Sequence, residues 1–232
     1  MHTRYFTVDV LRGGAVVMMI AYHICYDLTL FGWAQFALNQ HPFWLGWRAV
    51  IVGCFVAIVG VSVMLSPAYN WRSLVKRVGI IGGAAVAISV VSYGLFGLRF
   101  IFFGILHFIA LASIIAVLFR RAYGFNLILG ISLWLIGMTV QHEFFNQAQW
   151  QWVGLMTHKP ATEDYVPFLP WFGVMLVGMF AGRYLQLHPT CCFIPKNKLT
   201  QSLSQLGQYS LWIYLLHQPI LFALFGLLQW LL

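Results

Sequence analysis

Of 232 residues, 61% are hydrophobic and only 8% are charged, against the roughly 25% charged that is typical of soluble domains. That balance excludes a soluble globular enzyme. A net charge of +8 in such a chain works through its distribution over loops, so nucleic acid is not an expected partner and membrane lipid is.

Backbone amides have no water to bond inside a bilayer, so long unbroken apolar runs must be helical. A run of about 20 residues spans a core about 30 Å thick. Seven runs qualify, at about 7 to 30, 43 to 65, 77 to 96, 100 to 119, 124 to 141, 167 to 187 and 208 to 231. The expected fold is an all-α integral membrane protein, a polytopic bundle forming one domain over residues 1–232. With the N-terminus cytoplasmic, Arg4, Arg12, Arg72, Lys76, Arg77, Arg120, Arg121, Arg183, Lys196 and Lys198 share the inner side, whereas Arg48, Arg99 and Lys159 fall outside. This positive-inside asymmetry puts the C-terminus outside and fits a bacterial inner membrane.

The first run, DVLRGGAVVMMIAYHICYD, carries four ionisable residues, which are costly in a bilayer and usually face an interior or a watery cavity. At 100° per residue, Arg12 and His23 point within about 20° of each other, and Asp9 and Asp27 each lie about 60° from Arg12. All four share one stripe. Arg12 and His23 are about 16 Å apart along the axis. Asp9 and Arg12 are spaced for an ion pair at the inner end, and Asp27 is spaced to orient the His23 ring through a hydrogen bond. The first run is expected to remain as a helix and not to be a cleaved leader, because charges interrupt it and no small-residue site follows.

Further along, Arg48 falls near the outer end of the second run. GG at Gly82 and Gly83, and the Gly178 to Gly182 spacing, suggest close helix packing. His107 lies in the outer part of the fourth run. Residues 142–166, rich in aromatics and amides, read as an outer loop anchored by Trp150 and Trp152 or as a lid. Residues 188–206 read as a basic, Pro-punctuated linker. His217 lies nearer mid-membrane on the last run, where Pro219 loosens the backbone. Cys25 and Cys54 are intramembrane and Cys191 with Cys192 lie in a reducing loop, so no disulfide framework is implied. Convergence of the polar groups would make one pocket reached from both sides. The alternatives are a small-solute transporter, with Pro219 breaking a helix at a binding site, and a haem-binding redox protein ligated by His23, His107 and His217. Ligand types suit a metal at His23, Asp27 and His107, but no local spacing signature supports one, so none is expected.

Four strings, DVLRGGAVVMMIAYHICYDL, GILHFIALASI, YVPFLPWFGVMLVGMFAGR and LGQYSLWIYLLHQPIL, together resemble bacterial members of the heparan-alpha-glucosaminide N-acetyltransferase catalytic-domain family, over nearly the whole chain. The resemblance implies a transmembrane acyltransferase that moves an acetyl or other short acyl group from cytoplasmic acetyl-CoA to a hydroxyl or amine of a sugar or glycan acceptor outside. It also implies kinship with acyltransferase-3 proteins, in which a basic residue and a histidine with ten residues between them mark the site. Arg12 and His23 fit that spacing.

In the lysosomal member, the position of His23 resembles Asn, and the catalytic histidine resembles one in the following loop. HPFWLG matches that segment through His41, Trp44 and Gly46. His23 and His41 therefore compete as the base, with His23 favoured by depth, by Asp27 and by Arg12. Under this resemblance Asp9, Arg12, Arg72, Lys76, Arg120 and Arg121 would hold the CoA, and Arg48, His107, Trp171, Tyr214, His217 and Gln218 would line the substrate pocket. The chain is shorter than the lysosomal member, so a homodimer is a possible means of enclosing the pocket.

Overall fold

The computed structural model describes residues 5–66, 70–188 and 194–231. Arg4, Cys191 and Cys192 lie outside the described residues. Among the described residues the elements are helical. They run α1 (Phe6–Leu30), α2 (Pro42–Leu65), α3 (Trp71–Phe96), α4 (Ile105–Ala116), α5 (Tyr123–Thr139), α6 (Phe168–Leu187), α7 (Lys198–Gln208) and α8 (Ser210–Leu231), with short 3-10 turns between some of them. Five helices, α1, α2, α3, α6 and α8, are long and apolar enough to cross a membrane, while Ile105–Phe119 and Tyr123–Thr139 are apolar but shorter. The chain is an all-helical membrane protein.

Two compact units divide the chain, Met1–Phe55 with Thr190–Leu232, and Val56–Pro189. In the first, α1 packs against α7 and α8. The α1–α7 contact is backbone to backbone. A Cβ at Gly13 would run into the Leu203 carbonyl, and one at Gly207 into the Asp9 carbonyl. Only glycine allows helices to approach so closely. Toward the other end of α1, Met19, Tyr22, Leu38 and Ile51 form a buried cluster, with Phe36, Trp44, Trp47 and Tyr214 packed on it.

Helix α7 corrects the reading of 188–206 as a linker. Asn197 accepts from Thr200 N–H at 2.9 Å, and its own N–H donates to the Thr200 hydroxyl at 2.9 Å. This capping box satisfies free amides of the first turn. Short length and low hydrophobicity concealed the helix; its packing on α1 sustains it. Lys196, just before it, sits 5.5 Å from the centre of the Phe6 ring, within cation–π reach.

In the second unit, α3 packs with α4, and α5 with α6. A Cβ at Gly178 would meet the Ala57 backbone and one at Gly182 would meet Val61 and Met64, so this pair does serve helix packing. Gly82 and Gly83 have no neighbour within 4 Å of a built Cβ; the packing expected of them is absent among the described residues.

The fourth helix begins at Ile105 rather than near residue 100 for a tertiary reason. Asp164, 59 residues away in sequence, accepts from the Ile105 N–H at 3.0 Å, and a carboxylate there also complements the helix dipole. Thr162 donates to the Phe100 carbonyl at 2.7 Å, and Val166 N–H donates to the Phe103 carbonyl at 3.1 Å. Glu163 pairs with Arg99 at 2.6 Å. These bonds hold 100–104 extended. The 142–166 connection contains 3-10 turns at Glu143–Asn146 and Ala148–Val153. Tyr165 donates its hydroxyl to the Gln151 carbonyl at 2.6 Å, and burial pushes its ionisation upward, so it stays a donor.

Replacing Gly13 by Val should lower stability by about 1–3 kcal/mol, because the added carbons force α7 off α1. Gly14→Ala, where a built Cβ meets nothing within 4 Å, should leave it unchanged. Thermal unfolding of the detergent-solubilised protein compares the two.

Candidate functional site

The polar residues of α1 occupy two places in the first unit. Near its N-terminal end, Arg12 Nη1 donates to Asp9 Oδ1 at 2.8 Å in the expected i,i+3 pair. Asp9 is buried, and partial desolvation strengthens such a pair while making either partner alone costly.

Near the C-terminal end, Asp27 is 0% exposed. Its Oδ1 accepts from Gln218 Nε2 on α8 at 2.8 Å, and its Oδ2 has no partner among the described residues. Gln218 Oε1 is likewise buried without a partner. The expectation that Asp27 orients His23 is therefore corrected. The His23 ring is held from its other side, with Nδ1 at 2.9 Å from the Met19 carbonyl, one turn earlier on its own helix.

His217 is held in the same way, with Nδ1 at 2.7 Å from the Tyr214 carbonyl and 3.2 Å from that of Ile213. Its ring lies 4.7 Å from the His23 ring, at 79°, and 5.9 Å from Tyr214. A carbonyl only accepts, so in both neutral imidazoles Nδ1 carries the proton and Nε2 presents a lone pair. His23, Asp27, Tyr214, His217 and Gln218 thus come together where α1 meets α8.

His107, in the second unit, has the opposite tautomer. Ser89 has one hydroxyl proton and gives it to the Ile101 carbonyl at 2.7 Å, so His107 Nε2, 3.0 Å away, must donate to Ser89. Its Nδ1 accepts from Gly104 N–H at 3.2 Å. Both nitrogens are used within the fold, leaving no lone pair for the haem or metal alternatives. Nothing in the sequence marked Ser89 as its partner, since the two are 18 residues apart.

The remaining predicted residues fall in separate places. His41 is exposed and precedes α2, where its Nδ1 accepts from Phe43 N–H at 3.2 Å, an end-capping bond. Arg48 donates to Asn39 at 3.4 Å and lies beside the Tyr22 hydroxyl. In the second unit, Arg72, Lys76 and Arg121 are exposed and Trp171 is half-buried on α6. Arg120 donates to the Ser66 carbonyl at 2.8 Å, beyond the end of α2. Among the described residues, no group of three or more His, Cys, Asp or Glu could hold a metal ion.

A cavity of about 450 Å³ at the C-terminal end of α1 had no counterpart in the sequence reading; its walls include Tyr26, Thr29, Phe36, Leu38, Asn39 and Gln40. Arg48 fixes the Asn39 amide by taking its oxygen, which leaves the NH2 free to donate.

The family described as heparan-alpha-glucosaminide N-acetyltransferase, catalytic, matches residues 4–219. The chain belongs to that family. No curated protein and no solved structure matches it. Membership in the heparan-alpha-glucosaminide N-acetyltransferase family gives the chain an acetyltransferase-like function, and the match includes both the Asp9–Arg12 pair and the α1–α8 cluster.

Gln218→Leu should destabilise the protein by about 1–3 kcal/mol, because it leaves the buried Asp27 carboxylate without its donor. Adding Asp27→Leu should recover part of that loss, and a double-mutant cycle by denaturant unfolding measures the coupling.

Proposed function

We propose that the protein is a membrane-embedded acyltransferase that takes an acetyl group from cytoplasmic acetyl-CoA and passes it to a hydroxyl or amine of a sugar-type acceptor on the opposite side. The observation that carries this reading is the Nδ1–H tautomer of His23, fixed by the Met19 carbonyl, which leaves the Nε2 lone pair as the basic position of a ring 4.7 Å from that of His217. A histidine held in this way suits general-base catalysis near neutral pH.

In the proposed reaction, His23 Nε2 removes the proton of the acceptor's O–H or N–H as that atom adds to the thioester carbonyl carbon. Collapse of the tetrahedral intermediate breaks the C–S bond, and imidazolium returns the proton to the CoA sulfur. The Asp27 carboxylate, one turn beyond His23, stabilises the transient imidazolium through space. Tyr214 and Gln218 lie with His23 where α1 meets α8, and the 450 Å³ cavity at the C-terminal end of α1 provides room for a sugar ring.

CoA is polyanionic, and exposed cations on the cytoplasmic side would raise its local concentration. Arg72, Lys76 and Arg121 are suited to that role by exposure, and Arg12, held by Asp9, by its place at the other end of the stripe. Ten cations against three favour a cytoplasmic N-terminus and, with an odd number of crossings, an outer C-terminus. The exposed, helix-capping His41 is the less suited of the two candidate bases. Kinship with acyltransferase-3 proteins rests on the spacing of Arg12 and His23.

Calorimetry on the purified protein should show acetyl-CoA binding, and its absence would remove the donor assignment. His23→Gln should reduce kcat for acetyl transfer by about 10²–10⁴-fold with acetyl-CoA affinity retained, whereas His41→Ala should change it only a few-fold. The reverse ranking would transfer the base role to His41. Sealed vesicles supplied with labelled acetyl-CoA and labelled acceptor on opposite sides separate this reading from transport, because only the acetyl label should cross.

A further inference from the structure

The α1–α8 cluster contains more hydrogen-bond acceptors than donors. His217 Nε2, Asp27 Oδ2 and Gln218 Oε1 are buried without a partner among the described residues, and the tautomer of His23 adds a further lone pair at its Nε2. Leaving such atoms unpaired in a dry interior is costly. The groups that surround His217 are few. His23 faces it from α1, Asp27 is bonded to the next residue, Gln218, Tyr214 precedes it on α8, and Tyr22 with Arg48 lies in the adjoining aromatic cluster.

We propose that His217 is a second base of the site, so that the proton removed during acyl transfer has two seats, His23 Nε2 and His217 Nε2, of which only one is filled at a time. The proposal rests on the acyl-transfer reading for its chemistry and on ring geometry for its form. Both rings are clamped through Nδ1 to backbone carbonyls, and neither can turn its lone pair away without breaking that bond. At 4.7 Å between ring centres and 79° the two imidazoles are in edge-to-face contact, so a proton taken up by one ring is felt directly by the other.

Acceptance by one ring then weakens the other as a base, because two imidazolium ions at that distance repel. The acceptor's O–H or N–H bond breaks and one imidazole gains its proton. The acceptor atom bonds to the acetyl carbon, the C–S bond breaks with its electron pair on sulfur, and the same proton passes to that sulfur. Both imidazoles end neutral. His107, whose nitrogens are both engaged, cannot contribute such a seat.

The full-length protein carrying ¹⁵N-labelled histidine tests the arrangement by NMR in detergent micelles, with His23→Gln and His217→Gln supplying the assignments. Both Nε2 atoms should be unprotonated near neutral pH, and removing either ring should raise the proton affinity of the other several-fold. A protonated Nε2 on His217 in the unsubstituted protein, or a His23 titration indifferent to His217→Gln, would overturn the pair. With glucosamine as the probe acceptor, His217→Gln should lower kcat at least ~100-fold at unchanged acetyl-CoA affinity. Added imidazole should restore part of the activity of His217→Ala. A kcat within twofold of the unsubstituted protein would also overturn the proposal. If acetyl-CoA does not bind at all, the acyl-transfer reading fails, and the ring-nitrogen titrations still decide whether the two imidazoles form a pair.

Discussion

A single hydrogen bond, from the Gln218 amide to the Asp27 carboxylate at 2.8 Å, organises the polar interior of the first unit. Asp27 is fully buried, and a carboxylate out of water requires a partner to remain there. The partner comes from α8, 191 residues later in the sequence, so the bond fixes how α1 and α8 face each other. That facing brings His217 to His23. Glycines toward the other end of α1 act in a complementary way, since Gly13 and Gly207 let α7 rest on its backbone. One helix is thus gripped at both ends, by a buried polar bond and by close backbone contact.

The histidines show how the same residue type acquires different chemistry from its surroundings. On an isolated helix, His23, His107 and His217 look alike. A backbone carbonyl at Nδ1 leaves the first and last with a basic Nε2, while Ser89 and Gly104 occupy both nitrogens of His107. The difference lies in the neighbour's capacity to donate or accept, not in the imidazole. The same logic separates the arginines. Arg120 is occupied by the Ser66 carbonyl, and Arg72 and Arg121 remain exposed.

Legibility from sequence followed the range of the forces involved. The long helices were clear because twenty apolar residues in a row have one low-energy solution in lipid. The Asp9–Arg12 pair was clear because three residues along a helix are always neighbours. Helix α7 was missed because its amphipathic turns are brief and its stability comes from α1. The start of α4 was misplaced because an Asp far along the chain caps it, alongside the local bond from Gly104 to His107. Asp27 was assigned to His23 by the i,i+4 rule, yet Gln218 offered a donor that no helical-wheel argument on α1 could see.

The sequence by itself determined that this chain is a helical membrane protein with polar groups on one stripe of its first helix, and its motifs resembled the acetyltransferase family to which it belongs. Periodicity, length and local spacing carry that information, since they depend on neighbours within a few residues. Only the tertiary structure decided which histidines keep a free lone pair, which carboxylate meets which amide, and where a cavity opens beside α1. Those outcomes depend on donors and acceptors supplied by distant segments, and the obligation to satisfy buried polar groups is enforced only when those segments meet.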